Sequence, residues 1–262
     1  MLARFSRHWP EYAIEATLLA LFMLSASAFG VLLFHPDSPV DDWLRSPLAR
    51  RAWMGLAMGL TAVALVYSPL GQRSGAHMNP SVTLGFLALG RVRPGDALAY
   101  VLAQFAGGVL GMRLAEALLA RWIAHPAVAY VVTLPGAQGV AAAFLAEVAI
   151  SFVLFSVVLR ASGTPRLARW TGLFAGALVM LYITFEAPIS GMSMNPARSF
   201  GSALAARLWT AYWLYLTAPV LGMLAAAALF ARTCAAAAGC AKLHHANLQR
   251  CIFCGARPGR LP

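Results

Sequence analysis

Two stretches of the chain carry the same Asn-Pro pattern. Gly75-Ala76-His77-Met78-Asn79-Pro80-Ser81 in the first half matches Gly191-Met192-Ser193-Met194-Asn195-Pro196-Ala197 in the second. Asn is a preferred N-cap, and Pro fits the first helical position because its missing N–H would have no partner there. Each Asn therefore predicts a helix N-terminus, where a partial positive charge and side-chain amide donors suit a polar, uncharged ligand.

Three ionisable side chains fall where the surrounding sequence is apolar. Glu15 and Glu147 lie in long apolar segments, and Arg198 lies three residues after Asn195, on the next turn of the predicted helix. A charge at membrane depth is costly and usually functional. The two carboxylates have two interpretations: a proton or ion relay, or acceptors of hydrogen bonds from irregular backbone.

The C-terminal segment contains a different kind of chemistry. Cys251 and Cys254 form a Cys-x-x-Cys pair, which together with Cys240 and His244 has the ligand types of one zinc site. The spacing is not that of a standard zinc finger. We favour a basic tail that lies on anionic lipid, with the zinc site as the alternative. Apart from this zinc ion, no cofactor is expected.

The amino-acid composition indicates the environment in which these residues function. The chain is 60% hydrophobic and 11% charged, with a mean hydropathy of +0.70, whereas soluble domains carry about 25% charged residues. This predicts an integral membrane protein and excludes a fully solvated enzyme. The net charge of +11 does not indicate nucleic-acid binding, because the basic residues are scattered between apolar runs.

Six long apolar segments predict six transmembrane helices. They cover roughly residues 11–34, 51–70, 94–121, 139–160, 169–188 and 210–232. The runs after the two Asn-Pro motifs end near Gly90 and Arg207 and are too short to cross a bilayer. The predicted fold is an all-α membrane protein with six transmembrane helices and two half-helices in an inverted repeat around a central pore.

The same pattern predicts domain organisation and orientation. Residues 1–232 form a single channel domain with inverted repeats at about 10–125 and 135–232, and residues 233–262 form a Cys/His-containing basic tail. Each repeat has an odd number of spans, so the two half-helices enter from opposite faces. The distribution of Arg and Lys puts the N- and C-termini in the cytoplasm. Glycines spaced four apart predict close helix crossings; they are Gly55 and Gly59, Gly107 and Gly111, and Gly172 and Gly176.

Two Asn-Pro motifs at related positions of a six-span chain resemble the aquaporin, or major intrinsic protein, family. The stretches 74–80 and 193–201 are similar to the family's two signatures, and Ser81 is the one departure because the family usually has Ala there. The resemblance covers about residues 11–232. It implies that Asn79 and Asn195 meet at the middle of the pore. It also implies a homotetramer in the plasma (inner) membrane, with one pore per subunit.

The resemblance implies a selectivity filter around Arg198. Counting back from the second motif gives Ile183 and Met192 as further filter positions. In span two, an ungapped count from the first motif gives Gly59, while alignment of the local pattern gives Met58. Water-selective members usually have an aromatic residue in span two and His in span five. Neither is present, so we expect a wider and less polar filter.

Other positions are similar to the nodulin-like branch of the family, which includes channels for water, glycerol and metalloid acids. They are Ser199, Ala203, Tyr215 and Leu216. The resemblance favours a structural role for Glu15 and Glu147, which accept hydrogen bonds from irregular backbone, and a similar structural role for Gln104. His77 either lines the pore entrance or braces the loop.

The predicted function is a passive channel that conducts water and small uncharged solutes and excludes protons and ions. The resemblance implies no enzymatic activity. One alternative is a glycerol or metalloid-acid facilitator with little water selectivity. A proton-coupled secondary transporter would use Glu15 or Glu147, and a membrane scaffold would transport nothing. The expected partners are water, small neutral solutes and the lipid bilayer, and no nucleic acid.

Overall fold

Long apolar runs form six of the helices. The structure is a computed structural model that describes residues 2–233, 239–245 and 247–256, with side chains from residue 6 onward. The regular structure of these residues is helical throughout. The long helices are α1 (Leu2–Phe34), α2 (Pro47–Tyr67), α5 (Pro94–Ala124), α6 (Gly139–Ser162), α7 (Thr171–Phe185) and α10 (Tyr212–Thr233). The short helices are α3 (Pro69–Ser74), α4 (Pro80–Ala88), α8 (Ala187–Ser190) and α9 (Pro196–Ala206).

Five of the long helices in the described part of the chain are long and apolar enough to cross a membrane. In the case of α7 the span includes the preceding 3₁₀ turn Ala168–Trp170. The sixth long helix, α2, has 21 residues and is about 31 Å long at the usual rise per residue, but Arg50 and Arg51 near its start lower its hydropathy. The predicted second span was too long at its C-terminal end. The helix stops at Tyr67 because Ser68 precedes a proline and caps α3 instead.

Small residues bring pairs of long helices into close contact, as predicted. A Cβ atom on Gly59 of α2 would lie 2.6 Å from the carbonyl oxygen of Gly176 in α7. Gly107 and Gly111 of α5 lie against the backbone of α1 in the same way, next to Ala16 and Ala20. Without a hydrophobic force between helices in lipid, such backbone contacts supply much of the packing energy.

The two half-helices, α4 and α9, are inserted between the long helices. They have 9 and 11 residues, so each spans about half of the bilayer. Helix α9 packs mainly along α5, and α4 packs along α10, so each half-helix contacts the last long helix of the other half. A Cβ on Gly201 would collide with the backbone of Gly108, which explains why α9 can approach α5 so closely.

The outer surface of the helices suits contact with lipid. All seven tryptophans are at least 36% exposed, and they lie mainly near helix ends and in the connections between helices. Tryptophan concentrates at the two membrane–water interfaces because its ring is apolar and its N–H is polar. Many leucines on the long helices are also exposed, as expected for side chains that face lipid tails.

The described part of the tail folds back onto the helices. The backbone N–H of Leu243 donates to the carbonyl of Gly75 at 3.1 Å, just before the first half-helix. The Lys242 ammonium donates to the carbonyl of Gln72 at 2.7 Å, and Arg250 donates to the carbonyl of Arg7 in α1. The tail therefore covers the loop that leads into α4.

Candidate functional site

Asn79 and Asn195 cap the two half-helices and join them. The side-chain oxygen of Asn79 accepts a hydrogen bond from the N–H of Ser81 at 2.8 Å. The side-chain oxygen of Asn195 accepts from the N–H groups of Ala197 and Arg198 at 3.1 and 3.2 Å. Because each oxygen is engaged as a cap, each amide NH₂ is held in one orientation. The capping predicted from the sequence is confirmed.

The loops before the two caps have the same backbone conformation. Ala76 and Met78 have φ values of 54° and 49°, and Met192 and Met194 have φ values of 52° and 53°. These are left-handed values that non-glycine residues rarely adopt, and they persist only where the surroundings enforce them. The four residues lie three and one positions before their Asn, so the two loops are structural copies.

Glu15 organises the first loop from inside α1. One carboxylate oxygen accepts from the hydroxyl of Ser74 at 2.7 Å and from the N–H of His77 at 3.0 Å. The other oxygen accepts from the N–H of Met78 at 2.6 Å and from the amide of Gln104 at 2.9 Å. Successive N–H groups that converge on one carboxylate form an anion-binding nest, which satisfies irregular backbone inside the protein.

Glu147 does the same for the second loop from inside α6. It accepts from the hydroxyl of Ser190 at 2.8 Å and from the N–H groups of Ser193 and Met194 at 2.6 and 2.7 Å. Both carboxylates are fully buried. Their hydrogen bonds favour the structural interpretation, because every backbone partner is part of a loop and the acceptors are already occupied.

Gln104 and His77 brace the first loop. The amide of Gln104 donates to Thr83 at 3.1 Å as well as to Glu15. His77 is 3% exposed, and its two ring nitrogens contact the Thr83 hydroxyl at 3.0 Å and the carbonyl of Ala241 at 2.6 Å. His77 also lines the cavity described below, so its position suits both of the roles that the sequence left open.

Two further pairs of residues complete the loops, and the sequence patterns did not single them out for this role. Ser74 and Ser190 each lie five residues before their Asn and bond to the glutamate. Tyr100 in α5 and Tyr215 in α10 donate to the carbonyls of these serines at 2.7 and 2.6 Å. Alignment of the two halves of the sequence on their Asn-Pro motifs would have placed the two serines at the same position. It would have placed the two tyrosines one position apart.

A cavity of about 440 Å³ passes between the two loops. Asn79 and Asn195 both line it. The amide of Asn79 donates to the carbonyl of Met194, and the amide of Asn195 donates to the carbonyl of Met78, both at 2.7 Å. Each NH₂ group has two hydrogens, so one remains for a molecule in the cavity. Two half-helix N-termini point at this place and make it electrostatically positive.

The predicted filter residues lie on the cavity wall, with one correction. Met58, Ile183, Met192 and Arg198 all line the cavity, whereas Gly59 does not. Gly59 faces α7 instead, where it packs on backbone. The ungapped count was wrong because α2 is rotated so that Gly59 lies against Gly176 and Met180 of α7. A shift of one residue turns a helical side chain by about 100°.

Arg198 presents a free donor to this cavity. Its Nη1 atom is buried and has no hydrogen-bond partner within the described residues. A buried guanidinium N–H without a partner is costly, so a polar molecule that passes Arg198 gains a strong charge-assisted hydrogen bond. The neighbouring wall offers mainly the apolar side chains of Met58, Ile183 and Met192.

The tail brings together a group of metal-binding side chains that differs from the predicted one. Cys240, Cys251 and Cys254 are together, but the fourth member is His245. His244 is wrong as a ligand, because its ring packs against Tyr67 with ring centroids 5.0 Å apart. The hydrogen bond from the Cys240 thiol is the main factor that lowers the pKa of Cys251. Residues 234–238, 246 and 257–262 of the tail lie outside the described residues.

Comparison with known proteins agrees with this architecture. The family model described as major intrinsic protein matches residues 13–230. The chain is 35% identical over 213 residues to Aquaporin NIP1-4 of Oryza sativa subsp. japonica. This alignment covers 81% of this chain and 73% of the relative. The chain is also 38% identical over 227 residues to Aquaporin NIP3-1 of Zea mays. This alignment covers 84% of this chain and 71% of the relative.

A solved structure has the same fold. The X-ray structure of the aquaglyceroporin from Plasmodium falciparum superimposes with a TM-score of 0.69, over 87% of this chain and 97% of that chain. The sequence identity is 17%, so this likeness concerns the arrangement of the helices.

Proposed function

Because the chain belongs to the major intrinsic protein family, we propose that it conducts water and small uncharged solutes passively while it excludes protons and ions. The chain is a multi-pass integral membrane channel and not an enzyme. The observation that carries the proposal is the cavity between two capped half-helices, with Asn79 and Asn195 on its wall. Its relatives from Oryza sativa and Zea mays are aquaporins of the NIP type, which agrees with the nodulin-like features of the sequence.

The exclusion of ions follows from the charges around the cavity. Each half-helix presents about half a positive charge at its N-terminus. Asn79 and Asn195 offer only N–H donors to the cavity, since their oxygens cap the helices. A water molecule at this point donates its own hydrogens away from both amides, which interrupts a chain of water-to-water hydrogen bonds. A cation or hydronium ion meets a positive potential at this point, and the two amides offer it no acceptor.

The solute limit depends on the wall near Arg198. Arg198 supplies hydrogen bonds and repels cations, whereas Met58, Ile183 and Met192 leave the rest of the wall apolar. Without an aromatic ring or histidine in this set, the passage is less restrictive than a strict water filter. This favours leakage of small polyols or neutral hydroxides. A glycerol or metalloid-acid facilitator with low water flux is the second candidate, and the same apolar wall is the observation that favours it.

Proton-coupled transport has less support. Glu15 and Glu147 are buried carboxylates that could relay a proton, but both are occupied by hydrogen bonds from loop backbone. A relay would have to break these bonds in each cycle. We infer instead that the two carboxylates hold the half-helices in position.

The wider setting is also part of the proposal. We infer that residues 1–232 form the channel domain, that residues 233–262 form a cytoplasmic tail, and that the N-terminus is cytoplasmic as well, because Arg and Lys concentrate on that side. The exposed apolar faces of the long helices suit assembly into a homotetramer in the plasma (inner) membrane.

Stopped-flow light scattering of proteoliposomes tests the proposal. A channel accelerates osmotic shrinkage above the lipid baseline with a low activation energy and with no ion gradient. Swelling assays with glycerol, urea and boric acid then rank the solutes, and a pH-sensitive dye inside the vesicles reports proton leakage. Water flux at the lipid baseline together with fast glycerol flux would favour the facilitator. Flux of every solute at the baseline, with correctly folded protein both before and after addition of a metal chelator, would contradict the channel.

A further inference from the structure

Four side chains of the tail converge as the ligands of one metal ion would. The ligand atoms of Cys240, His245, Cys251 and Cys254 all lie within 4.8 Å of one another. The sulfur atoms of Cys240 and Cys251 are 3.3 Å apart, and Nε2 of His245 is 3.1 Å from the sulfur of Cys254. Ligands at about 2.0–2.3 Å from a tetrahedral zinc ion are separated by roughly 3.3–3.8 Å, so the observed arrangement is close to such a shell.

The local backbone supports this arrangement. The N–H of Gly255 donates to the carbonyl of Cys251 at 3.0 Å, and the N–H of Cys251 donates to the carbonyl of Ala256 at 2.9 Å. Gly255 has a φ of 78°, which the tight turn after Cys254 requires. A Cys-x-x-Cys pair in a closed turn presents both sulfur atoms to one point, as zinc-binding turns do. The three cysteines in the described part of the chain are free thiols and not disulfides.

A buried positive charge stands beside the four ligands. Lys242 is 1% exposed, and its ammonium donates to the carbonyls of Gln72 and Arg250 at 2.7 and 2.8 Å. Within the described residues, no carboxylate forms an ion pair with it. A buried charge needs a counter-charge. Zinc bound by three thiolates and a neutral histidine carries a net charge of −1, which the Lys242 ammonium would balance.

The same segment lies across one end of the channel cavity. Leu243 lines the cavity on the side of the loop before Asn79, and its N–H bonds to Gly75. The carbonyl of Ala241 contacts the ring of His77, and Phe253 stacks on the same ring with centroids 5.5 Å apart. The residues that attach the tail to His77 and Gly75 are thus interleaved along the chain with the four metal ligands, and one of them, Leu243, lines the cavity.

We propose that Cys240, His245, Cys251 and Cys254 bind one Zn²⁺ ion, and that the bound ion holds the tail across the His77 end of the pore and closes it. The residues 239–245 and 247–256 contain no helix or strand, so they have little regular structure of their own to maintain the closed position. In small segments of this kind, metal binding supplies the folding free energy. Loss of the ion would release Leu243 and Phe253 and open the pore. This closure rests on the proposed channel function, whereas metal binding does not.

Metal content tests the site directly. The protein is purified in detergent, supplied with Zn²⁺ alone and desalted. Its zinc content is then measured by inductively coupled plasma mass spectrometry. We expect one zinc per chain, and X-ray absorption is expected to give Zn–S and Zn–N distances of about 2.3 and 2.0 Å. The matched pair is His245→Ala, which should lose the zinc or bind it far more weakly, and His244→Ala, which should retain it. Equal zinc content in both variants, or no zinc in the unmodified protein, overturns the site.

Cysteine variants and intact mass distinguish a zinc site from a disulfide. Cys251→Ser and Cys254→Ser should each abolish stoichiometric zinc. If they misfold, reversible removal of zinc from the unmodified protein by a chelator, followed by Zn²⁺ addition, provides the same comparison. A mass two hydrogen atoms lower than that of the free-thiol chain, in protein isolated anaerobically and without a chelator, would indicate a native disulfide and overturn the metal site.

Water flux tests the closure. Proteoliposomes with zinc-loaded full-length protein are compared before and after a membrane-permeant chelator, which reaches tails on either side of the bilayer. We expect osmotic water permeability to rise severalfold on chelation and to fall again with Zn²⁺, and His245→Ala to be open throughout. Equal flux above the lipid baseline in both states overturns closure and leaves the channel function intact. Flux at the baseline in both states, and in His245→Ala, contradicts the channel and the closure together, while zinc content still decides the site.

Discussion

Asn79 and Asn195 are held by one another's loops. The amide of each donates a 2.7 Å hydrogen bond to the carbonyl of the residue that precedes the other, Met194 or Met78. The two half-helices are therefore joined where their N-termini meet. No other side chain is needed in this arrangement to orient the remaining amide hydrogens towards the cavity. The two Asn-Pro motifs therefore form one structural unit.

Replacement of Asn79 by Asp should make the channel leak protons. The carboxylate still accepts from the N–H of Ser81, so the helix cap persists. It loses the bond to the Met194 carbonyl and adds a negative charge between two positive helix ends. We expect water flux to fall severalfold and proton flux to rise, as measured by stopped-flow scattering and an internal pH dye. Asn195→Asp should behave in the same way. Unchanged proton exclusion in both variants would contradict the midplane barrier.

Replacement of Arg198 by Gln should widen the range of solutes. The variant removes a fixed charge and a buried free donor from the cavity wall. We expect glycerol and urea flux to rise by roughly tenfold, which corresponds to about 1.4 kcal/mol of barrier, and cation leakage to become detectable. Arg207→Gln is the matched control, since Arg207 is exposed at the end of the same helix. A similar change of selectivity in both variants would mean that only net charge matters.

Substitutions at Met58 and Gly59 should have different effects. Met58→Phe narrows the cavity wall, so glycerol flux should fall more than water flux while the melting temperature changes little. Gly59→Ala places a Cβ 2.6 Å from the carbonyl of Gly176. It should cost about 1–3 kcal/mol of stability through overpacking, without a change of selectivity. Solute-swelling rates and thermal unfolding in detergent measure both. Altered selectivity in Gly59→Ala at normal stability would reverse the assignment.

Replacement of Glu147 by Gln should destabilise the protein more than it alters transport. The amide NH₂ would replace one of the two carboxylate oxygens, so the N–H of either Ser193, bonded to one oxygen, or Met194, bonded to the other, would lack an acceptor. Each unpaired buried donor costs about 1–3 kcal/mol. We expect a lower melting temperature and a normal water permeability per folded molecule. Glu116→Gln, which breaks an exposed pair with Arg113, should be nearly neutral. Normal stability with loss of transport would instead favour a proton relay.

The features that the sequence predicted well are local or periodic. The half-helices begin at Pro80 and Pro196 and end near the residues expected, because Asn caps, Pro at the first position and short apolar runs act within a few residues. The long helices follow from apolar length, and the fold class follows from their number and symmetry. The error in the length of span two arose where a proline and a serine cap divide one apolar run into α2 and α3.

Other features depend on contacts between distant parts of the chain. Whether Met58 or Gly59 faces the cavity depends on the rotation of α2 against α7, which a count from the motif cannot supply. Whether His244 or His245 joins the three cysteines depends on which ring packs against Tyr67. The contacts of Tyr100 and Tyr215 with the loop serines likewise join separate segments of the chain.

By itself, the sequence determined the fold class, the two capped half-helices and the residues around which the channel is built. These features depend on residue types at fixed spacings, so they can be predicted without knowledge of the tertiary contacts. Only the tertiary structure decided which side of α2 lines the cavity, how Glu15 and Glu147 hold the loops, and where the tail lies. These depend on helix rotation and on hydrogen bonds between segments that are far apart in the chain. The position of Leu243 beside Gly75, which motivates the zinc-dependent closure, belongs to this second group.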